Sequence, residues 1–517
     1  MRIRRILALL LVGILMLTLC GCNGPEDWYD VDAAAVMRKE QQIYLTVWSW
    51  QIPDEEAAAL YAQKAKDCGF TAVDLGVLWA KFEPLKGHFD WSYLDAVVKV
   101  FTDAGLKISL QPLLWTKDLS WAGDLALQAQ TNGQVYSVEN RGSYLSLTDA
   151  ETLAVAENTL QAFALHASQS YGADLTRWGV RLSCFGELDY SVNEDLDYSE
   201  SAARAFLDYL KEEYGTWGKL AELRDLPIAN RSELEALSLK EVAEACPGDW
   251  RRFRQENLFD FLDSVTKIYR SVDKNVPILF SLGTYGNGMN TAFSGVVDLW
   301  SAVEEHDVDI VGISLCDGAD PDMMLSLVSS LTTKKIAVEV DGAWALEEGR
   351  DVASQVEICG KHRVFSLATA NFTAEQLDAH RETLKSYGQR LSSSASLGDR
   401  DPGRGILILS NGLAETDLPR SFDVIYGEAW KKLSENGARR VRFVTEQQIA
   451  LGDVSLEGVT TLYLGDIKGS VAVDSEFARV VSRREIALKG DVTFVNLDGS
   501  PLSEDLASAL ADRLSAE

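Results

Sequence analysis

Residues 44–78 run YLTVWSWQIPDEEAAALYAQKAKDCGFTAVDLGVL and hold one complete structural unit. Tyr44–Trp48 is a short apolar, β-rich run, which reads as a strand. Glu55–Cys68 has the composition of a helix, and Gly69 is suited to end it. Ala72–Leu78 is then a second strand. A strand, a helix and a second strand in this order imply a right-handed crossover between parallel strands.

The unit recurs along the chain. Helix Ser92–Ala104 ends at Gly105, and Lys107–Leu113 is the third strand. A long loop leads to helix Ala150–Tyr171, and Trp178–Cys184 reads as strand four. An insertion follows, with helices near Glu200–Tyr214 and Asp249–Val272. Pro277–Leu282, Asp309–Leu315, Lys335–Val340 and Arg363–Thr369 are strands five to eight, and helix Ala374–Leu391 closes the set. The strands are apolar throughout rather than alternating, as expected when both faces are covered. Eight such units over residues 41–391 predict a (β/α)₈ TIM barrel, with a doubly wound open sheet as the rival. A Ser/Gly/Asp-rich linker, residues 392–405, separates off residues 406–517. There Ile406–Leu409, Val441–Val444 and Thr461–Leu464 read as buried strands, with a helix around Phe422–Asn436. This predicts a smaller flavodoxin-like α/β domain, serving self-association (a homo-oligomer) or covering the barrel rim. It has no G-x-G-x-x-G after its first strand, so no dinucleotide cofactor is expected.

The N-terminus carries a separate message. Arg2, Arg4 and Arg5 precede an apolar run, Ile6 to Leu19, too short to span a membrane but suited to a signal-peptide core. It ends in Leu19-Cys20-Gly21-Cys22, which resembles the bacterial lipobox. Residues 1–21 are thus expected to be a lipoprotein signal peptide, Cys22 the lipidated residue and residues 22–40 a tether. The mature protein would sit on the extracytoplasmic face of a cell membrane. A plain secretory signal is the alternative.

Composition narrows the function. With 49 basic against 78 acidic residues, the formal charge of the 517-residue chain is −29. Such a surface repels phosphate backbones, so nucleic acid is not an expected partner. Cys68, Cys184, Cys246, Cys316 and Cys359 are scattered, with no C-x-x-C spacing, which argues against a disulfide framework and a structural zinc site.

In a barrel of this kind, chemistry sits where strands end at their carboxyl side. Strand one leads into Trp48 and Trp50, strand two into Trp79 and Glu83. Strand three carries Gln111 and Trp115, and strand four is followed by Phe185-Gly186-Glu187-Leu188-Asp189-Tyr190. Strand five runs into Tyr285 and strand six into Asp317, while strand seven carries Glu339 and Asp341, with Trp344 beyond. No histidine occupies such a position, so neither a His-dependent triad nor a His-ligated metal is expected. Paired carboxylates among aromatics suit glycosidic cleavage. One carboxyl protonates the leaving oxygen and the other attacks or stabilises the anomeric carbon. Aromatic faces stack on the C–H faces of sugar rings. Taken singly, each of these tryptophans reads first as core.

An acid/base after strand four and a nucleophile after strand seven is the arrangement of the 4/7 clan of retaining glycosidases. Within it, Gly69-Phe70-Thr71-Ala72-Val73-Asp74 through Trp79, Glu83-Pro84, Gly87-His88-Phe89-Asp90-Trp91 and Leu94-Asp95 resemble glycoside hydrolase family 42, which holds many β-galactosidases. Tyr214-Gly215 to Leu223 and Asp249-Trp250-Arg251-Arg252-Phe253 resemble that family's insertion after strand four. The resemblance implies a retaining glycosidase acting on a glycoside or oligosaccharide, and the N-terminal signal would place it outside the cytoplasm. Glu187 would be its general acid/base and Glu339 its nucleophile, with carboxyl groups about 5–5.5 Å apart. Asp189 and Asp341 are possible substitutes. Phe185 and Tyr190 would help keep Glu187 protonated. One position departs from the pattern: Gly186 stands where the clan has an Asn that contacts the sugar 2-hydroxyl. The stretch Gly186–Tyr190 is closer to the Gly-Glu-Leu-x-Tyr of β-amylases. The competing readings are a non-catalytic sugar-binding lipoprotein on the same barrel and an assembly scaffold.

Overall fold

In a computed structural model of the chain, the described residues are 42–395 except 140, 181–193, 225, 227–229, 284–295, 297–298, 316–319, 343–351 and 363. Beyond them, residues 406–410, 430–431, 441–445, 461–464 and 493–496 are described. Eight strands close into a barrel in sequential order: β1 Ile43–Trp48, β2 Ala72–Leu78, β3 Lys107–Leu113, β4 Leu175–Val180, β5 Ile278–Ser281, β6 Ile310–Leu315, β7 Lys335–Asp341 and β8 Ser366–Ala370. Every neighbouring pair is parallel, and β1 pairs with β8 to shut the ring.

Local chemistry explains the early units. Helix α1, Glu55–Asp67, starts where the Asp54 side chain accepts from the Ala57 N–H. It stops at Gly69, whose φ of 82° is open to glycine at little cost. There the Gly69 N–H donates to the Lys66 carbonyl and the Phe70 N–H to that of Ala65. Helix α2, Ser92–Asp103, ends the same way at Gly105. The two-bond stop satisfies carbonyls that a helix end would leave bare. Helix α3, Ala150–Tyr171, is capped by Asp149, and the long helix α4, Pro247–Val272, begins with proline in its first turn.

The barrel wall sorts its side chains by face. Leu45, Val47, Val73, Leu75, Ile108 and Leu110 point outward into the apolar layer beneath the helices. The inward face is polar: Thr46, Asp74, Ser109, Gln111, Arg177, Ser281, Ser314 and Ser366 are all buried. Arg177 is the centre of this interior. Its guanidinium pairs with Asp74 at 3.2 Å and donates to Ser366 Oγ at 2.9 Å and Ser109 Oγ at 3.2 Å. It also lies 3.9 Å from the centre of the Tyr44 ring. These partners make a buried cation tolerable.

That arrangement corrects the expected strand four. The strand starts at Leu175, three residues before the expected Trp178, because Arg177 points into the barrel rather than to water. Its expected continuation to Cys184 falls outside the described residues. The expected closing helix Ala374–Leu391 is three short helices, Ala374–Ala379, Arg381–Lys385 and Tyr387–Ala395, so the last runs into the expected linker. The Thr373 side chain and Gln376 form a capping box that starts the first.

Beyond the barrel, β9 Ile406–Ser410, β10 Val441–Thr445, β11 Thr461–Leu464 and β12 Thr493–Asn496 form a parallel sheet in the order β10-β9-β11-β12. The fourth strand was not expected. This order places the first strand inside the sheet, as in flavodoxin-like folds. Strand β10 packs on helix α5, Pro321–Leu331, where the Phe443 N–H donates to Ser330 Oγ at 3.4 Å. The expected helix at 422–436 is described at residues 430 and 431 alone, where buried Trp430 stacks on Phe443.

Cys68, Cys246 and Cys359 are free thiols within the core. Burial pushes Cys68 up to about 11 and Cys246 and Cys359 up to about 12. Thiolate is the reactive form, so all three are expected to resist iodoacetamide in native buffer at pH 8 and to react in denaturant. Peptide mapping of the alkylated protein checks this; rapid native labelling of any of the three would contradict their placement.

Candidate active site

Glu339 lies on β7 near its carboxyl end, half-buried, and Thr46 Oγ1 of β1 donates to its Oε2 at 2.8 Å. The bond crosses the barrel seam from β1 to β7 past β8 and fixes one carboxylate oxygen. Below it a small cavity is lined by Glu339, Asp74, Arg177, Ser281 and Gly312, among others. Two residues on, Asp341 accepts from Asn371 Nδ2 at 2.8 Å, and Asn371 Oδ1 accepts from the Trp48 indole at 3.0 Å. Asn371 holds φ at 63°, a conformation Asn tolerates better than most residues. Sequence reading missed both Thr46 and Asn371. Asn371 directly follows strand eight, so extending the inspection of strand ends from seven to eight would have found it.

The mouth is walled by three indoles. Trp48 and Trp50 stack with ring centres 5.2 Å apart and planes within 4°, and Trp50 stacks on Trp115 at 6.1 Å and 26°. Trp48 lies over Gly76, where a Cβ would come within 2.3 Å of its ring. Trp115 is fully buried, with the Arg141 guanidinium 4.8 Å from its ring centre. The neighbouring strap is tied down by Ser143 N–H to Thr116 Oγ1 at 2.8 Å and Lys117 N–H to the Arg141 carbonyl at 3.1 Å.

Gln111 faces Gly179, where a Cβ would meet its Cγ at 2.3 Å. Its amide is fully buried, yet neither Oε1 nor Nε2 finds a hydrogen-bond partner among the described residues. A buried unsatisfied amide costs roughly 1–3 kcal/mol, and its donors and acceptor match the hydroxyls of a polyol ligand. Gln111→Leu is therefore expected to stabilise the free protein by about 1 kcal/mol or more. Urea unfolding measures it, and a loss of stability like that of an ordinary core substitution would refute the account.

Trp79 and Glu83 are placed differently. Both are buried, and Trp79 Nε1 donates to Glu83 Oε2 at 2.7 Å. The same carboxylate accepts from Thr159 Oγ1 at 2.6 Å and from the Gly87 N–H at 2.7 Å. These bonds tie the β2–α2 connection to helix α3. The expected Glu187, Asp189, Tyr190, Tyr285, Asp317 and Trp344, and the lipidation site Cys22, lie outside the described residues.

The fold and the site together define a closed parallel barrel with a carboxylate on β7 and stacked indoles at its carboxyl end. The model of glycoside hydrolase family 42, described as beta-galactosidase, matches residues 49–309, half of the chain. The protein belongs to that family. Over 178 residues it is 28% identical to the β-galactosidase BgaB of a Geobacillus strain, a match covering 34% of this chain and 24% of BgaB. It thus spans about a quarter of the curated relatives' length. Among solved structures it resembles a β-galactosidase from the psychrophile Marinomonas ef1, with a TM-score of 0.65 at 15% identity. That match covers 92% of this chain and 79% of the other. It also resembles the catalytic domain of a β-amylase from Paenibacillus polymyxa, with a TM-score of 0.54 at 16% identity, covering 69% and 99% respectively. At these identities the structural likeness speaks to the fold.

Proposed function

We propose that this protein is a retaining glycoside hydrolase of the β-galactosidase type, anchored by lipid at Cys22 and working outside the cytoplasm. The observation that carries the reading is Glu339 of β7, held by Thr46 of β1, the strand that ends in the indole Trp48. In this reading Glu339 is the nucleophile. Its carboxylate attacks the anomeric carbon while Glu187 donates a proton to the departing glycosidic oxygen. Water, deprotonated by Glu187, then hydrolyses the glycosyl ester with net retention. Asp341, through Asn371, orients Trp48, and Gln111 offers its amide to sugar hydroxyls.

Family membership supports the reaction class, and the named relatives support a β-galactoside as the first substrate to try. The test is turnover of aryl β-galactosides by residues 23–517, with the first-formed sugar anomer followed by proton NMR. β-Anomer formed first fits retention, and α-anomer formed first overturns the nucleophile assignment. The second reading, a sugar-binding lipoprotein without turnover, draws on Gly186 in place of the clan's Asn. Saturable sugar binding with no hydrolysis of any glycoside in the panel would favour it.

A further inference from the structure

Trp50 is a large aromatic residue left 42% exposed at the mouth, while its stacking partner Trp48 is 6% exposed. Unlike an isolated surface indole, this one is stacked on two others. Its plane lies within 4° of that of Trp48, whose N–H is fixed by Asn371, and Asn371 in turn is fixed by Asp341, two residues beyond Glu339. On its other contact, Trp50 stacks on Trp115, itself clamped beneath Arg141. Ring centres 5.2 and 6.1 Å apart mean offset stacking, which leaves part of the indole uncovered. The ordering cost of this side chain is met before any ligand arrives.

We propose that Trp50 is the platform for the leaving-group sugar: a pyranose ring whose apolar C–H face lies on the exposed indole. The proposal rests on the glycosidase reading above and deepens it. Glu339 is half-buried in the barrel, and the bond it attacks must sit over its carboxylate. Trp50 stacks on Trp48 at the end of β1 and is far more exposed than it, 42% against 6%, which puts it nearer the solvent. A ring lying on it is therefore on the solvent side of the bond being broken. The same platform receives an acceptor sugar in the reverse sense. An acceptor hydroxyl attacks the anomeric carbon of the Glu339 ester, and its proton passes to the acid/base carboxylate. The ester C–O bond then breaks, and a new glycosidic C–O bond forms. Trp50 thereby sets the partition between transfer and hydrolysis.

The experiment compares wild type, Trp50→Ala and Trp50→Phe on three donors sharing one glycone. These are the glycosyl fluoride, whose leaving group has no ring, an aryl glycoside, and a β-linked disaccharide. Trp50→Ala is expected to lower kcat/KM on the disaccharide and the aryl glycoside roughly tenfold, mostly through KM, and to leave the fluoride within about twofold of wild type. Trp50→Phe should recover most of the loss. The ratio of transfer product to free sugar, at fixed acceptor concentration, should fall in Trp50→Ala. Equal losses on fluoride and disaccharide, or no loss on either, overturn the platform while leaving the hydrolase reading intact. A wild type that turns over none of the three donors removes the reading beneath it. Thermal unfolding of both variants shows whether a loss reflects misfolding: a uniform drop with lowered Tm assigns Trp50 to stability instead and overturns the proposal.

Discussion

Glu339→Gln is expected to lower turnover of an aryl glycoside at least ~10³-fold, equivalent to ~4 kcal/mol of lost transition-state stabilisation. The substitution changes one atom in kind and almost nothing in volume. The amide carbonyl can still accept from Thr46 Oγ1, which now reaches the carboxylate at 2.8 Å, so the β1–β7 tie survives. What is lost is the charge and the nucleophilic oxygen. A neutral amide neither attacks the anomeric carbon nor stabilises the positive charge that develops there. The loss should fall on kcat with KM little changed or lowered, because the interaction is made chiefly in the transition state. Steady-state kinetics with matched circular dichroism checks it. A folded Glu339→Gln variant retaining more than about a tenth of wild-type kcat would sink the nucleophile assignment, since a removed nucleophile costs far more. In that event Asp341→Asn becomes the decisive variant, because Asp341 lies on the same face of β7 two residues further on.

The second large effect concerns stability. Arg177→Met is expected to destabilise the protein by ~3–5 kcal/mol, the range found when one partner of a buried ion pair is removed. Arg177 and Asp74 are 2% and 1% exposed at their side chains, so solvent does little to screen them. Methionine fills much of the volume but cannot satisfy Ser109 Oγ, Ser366 Oγ or the Asp74 carboxylate, and it forfeits the contact with the Tyr44 ring. The companion Arg177→Met with Asp74→Leu removes the stranded carboxylate and should recover a large part of the loss. Urea unfolding of wild type, both single variants and the double variant closes the cycle. A single-variant loss under about 1 kcal/mol, or a double variant worse than the sum of the singles, would falsify the ion pair as the organiser of the barrel interior. The cavity beneath Glu339 shares this pair as its lining, so kcat of Arg177→Met reports whether the interior also supports the site.

The sequence by itself determined the order of elements, their kind and the parallel closure of the barrel. Those properties are local. Apolar runs of strand length, Asp caps at residues 54 and 149, and glycines at 69 and 105 act within a few residues of themselves. Each can therefore be read in place. The position of Glu339 was legible for the same reason: β7 ends where its apolar run ends, and the fold rule then places its carboxyl end at the mouth. The tertiary structure alone decided what depends on groups far apart in the chain. Arg177 lay just outside the expected strand four, and only Asp74, Ser109 and Ser366, brought round it from β2, β3 and β8, give it a place in the interior. Glu83 was legible as a carboxylate after strand two, but that Trp79, Gly87 and Thr159 donate to its oxygens was not. The link from Asp341 through Asn371 to Trp48 joins positions some 300 residues apart, at the seam where the last strand meets the first. Burial and hydrogen-bond satisfaction are properties of the assembled neighbourhood. No periodicity in a single strand carries them, and so the scaffold could be read from the sequence while the roles of its polar residues could not.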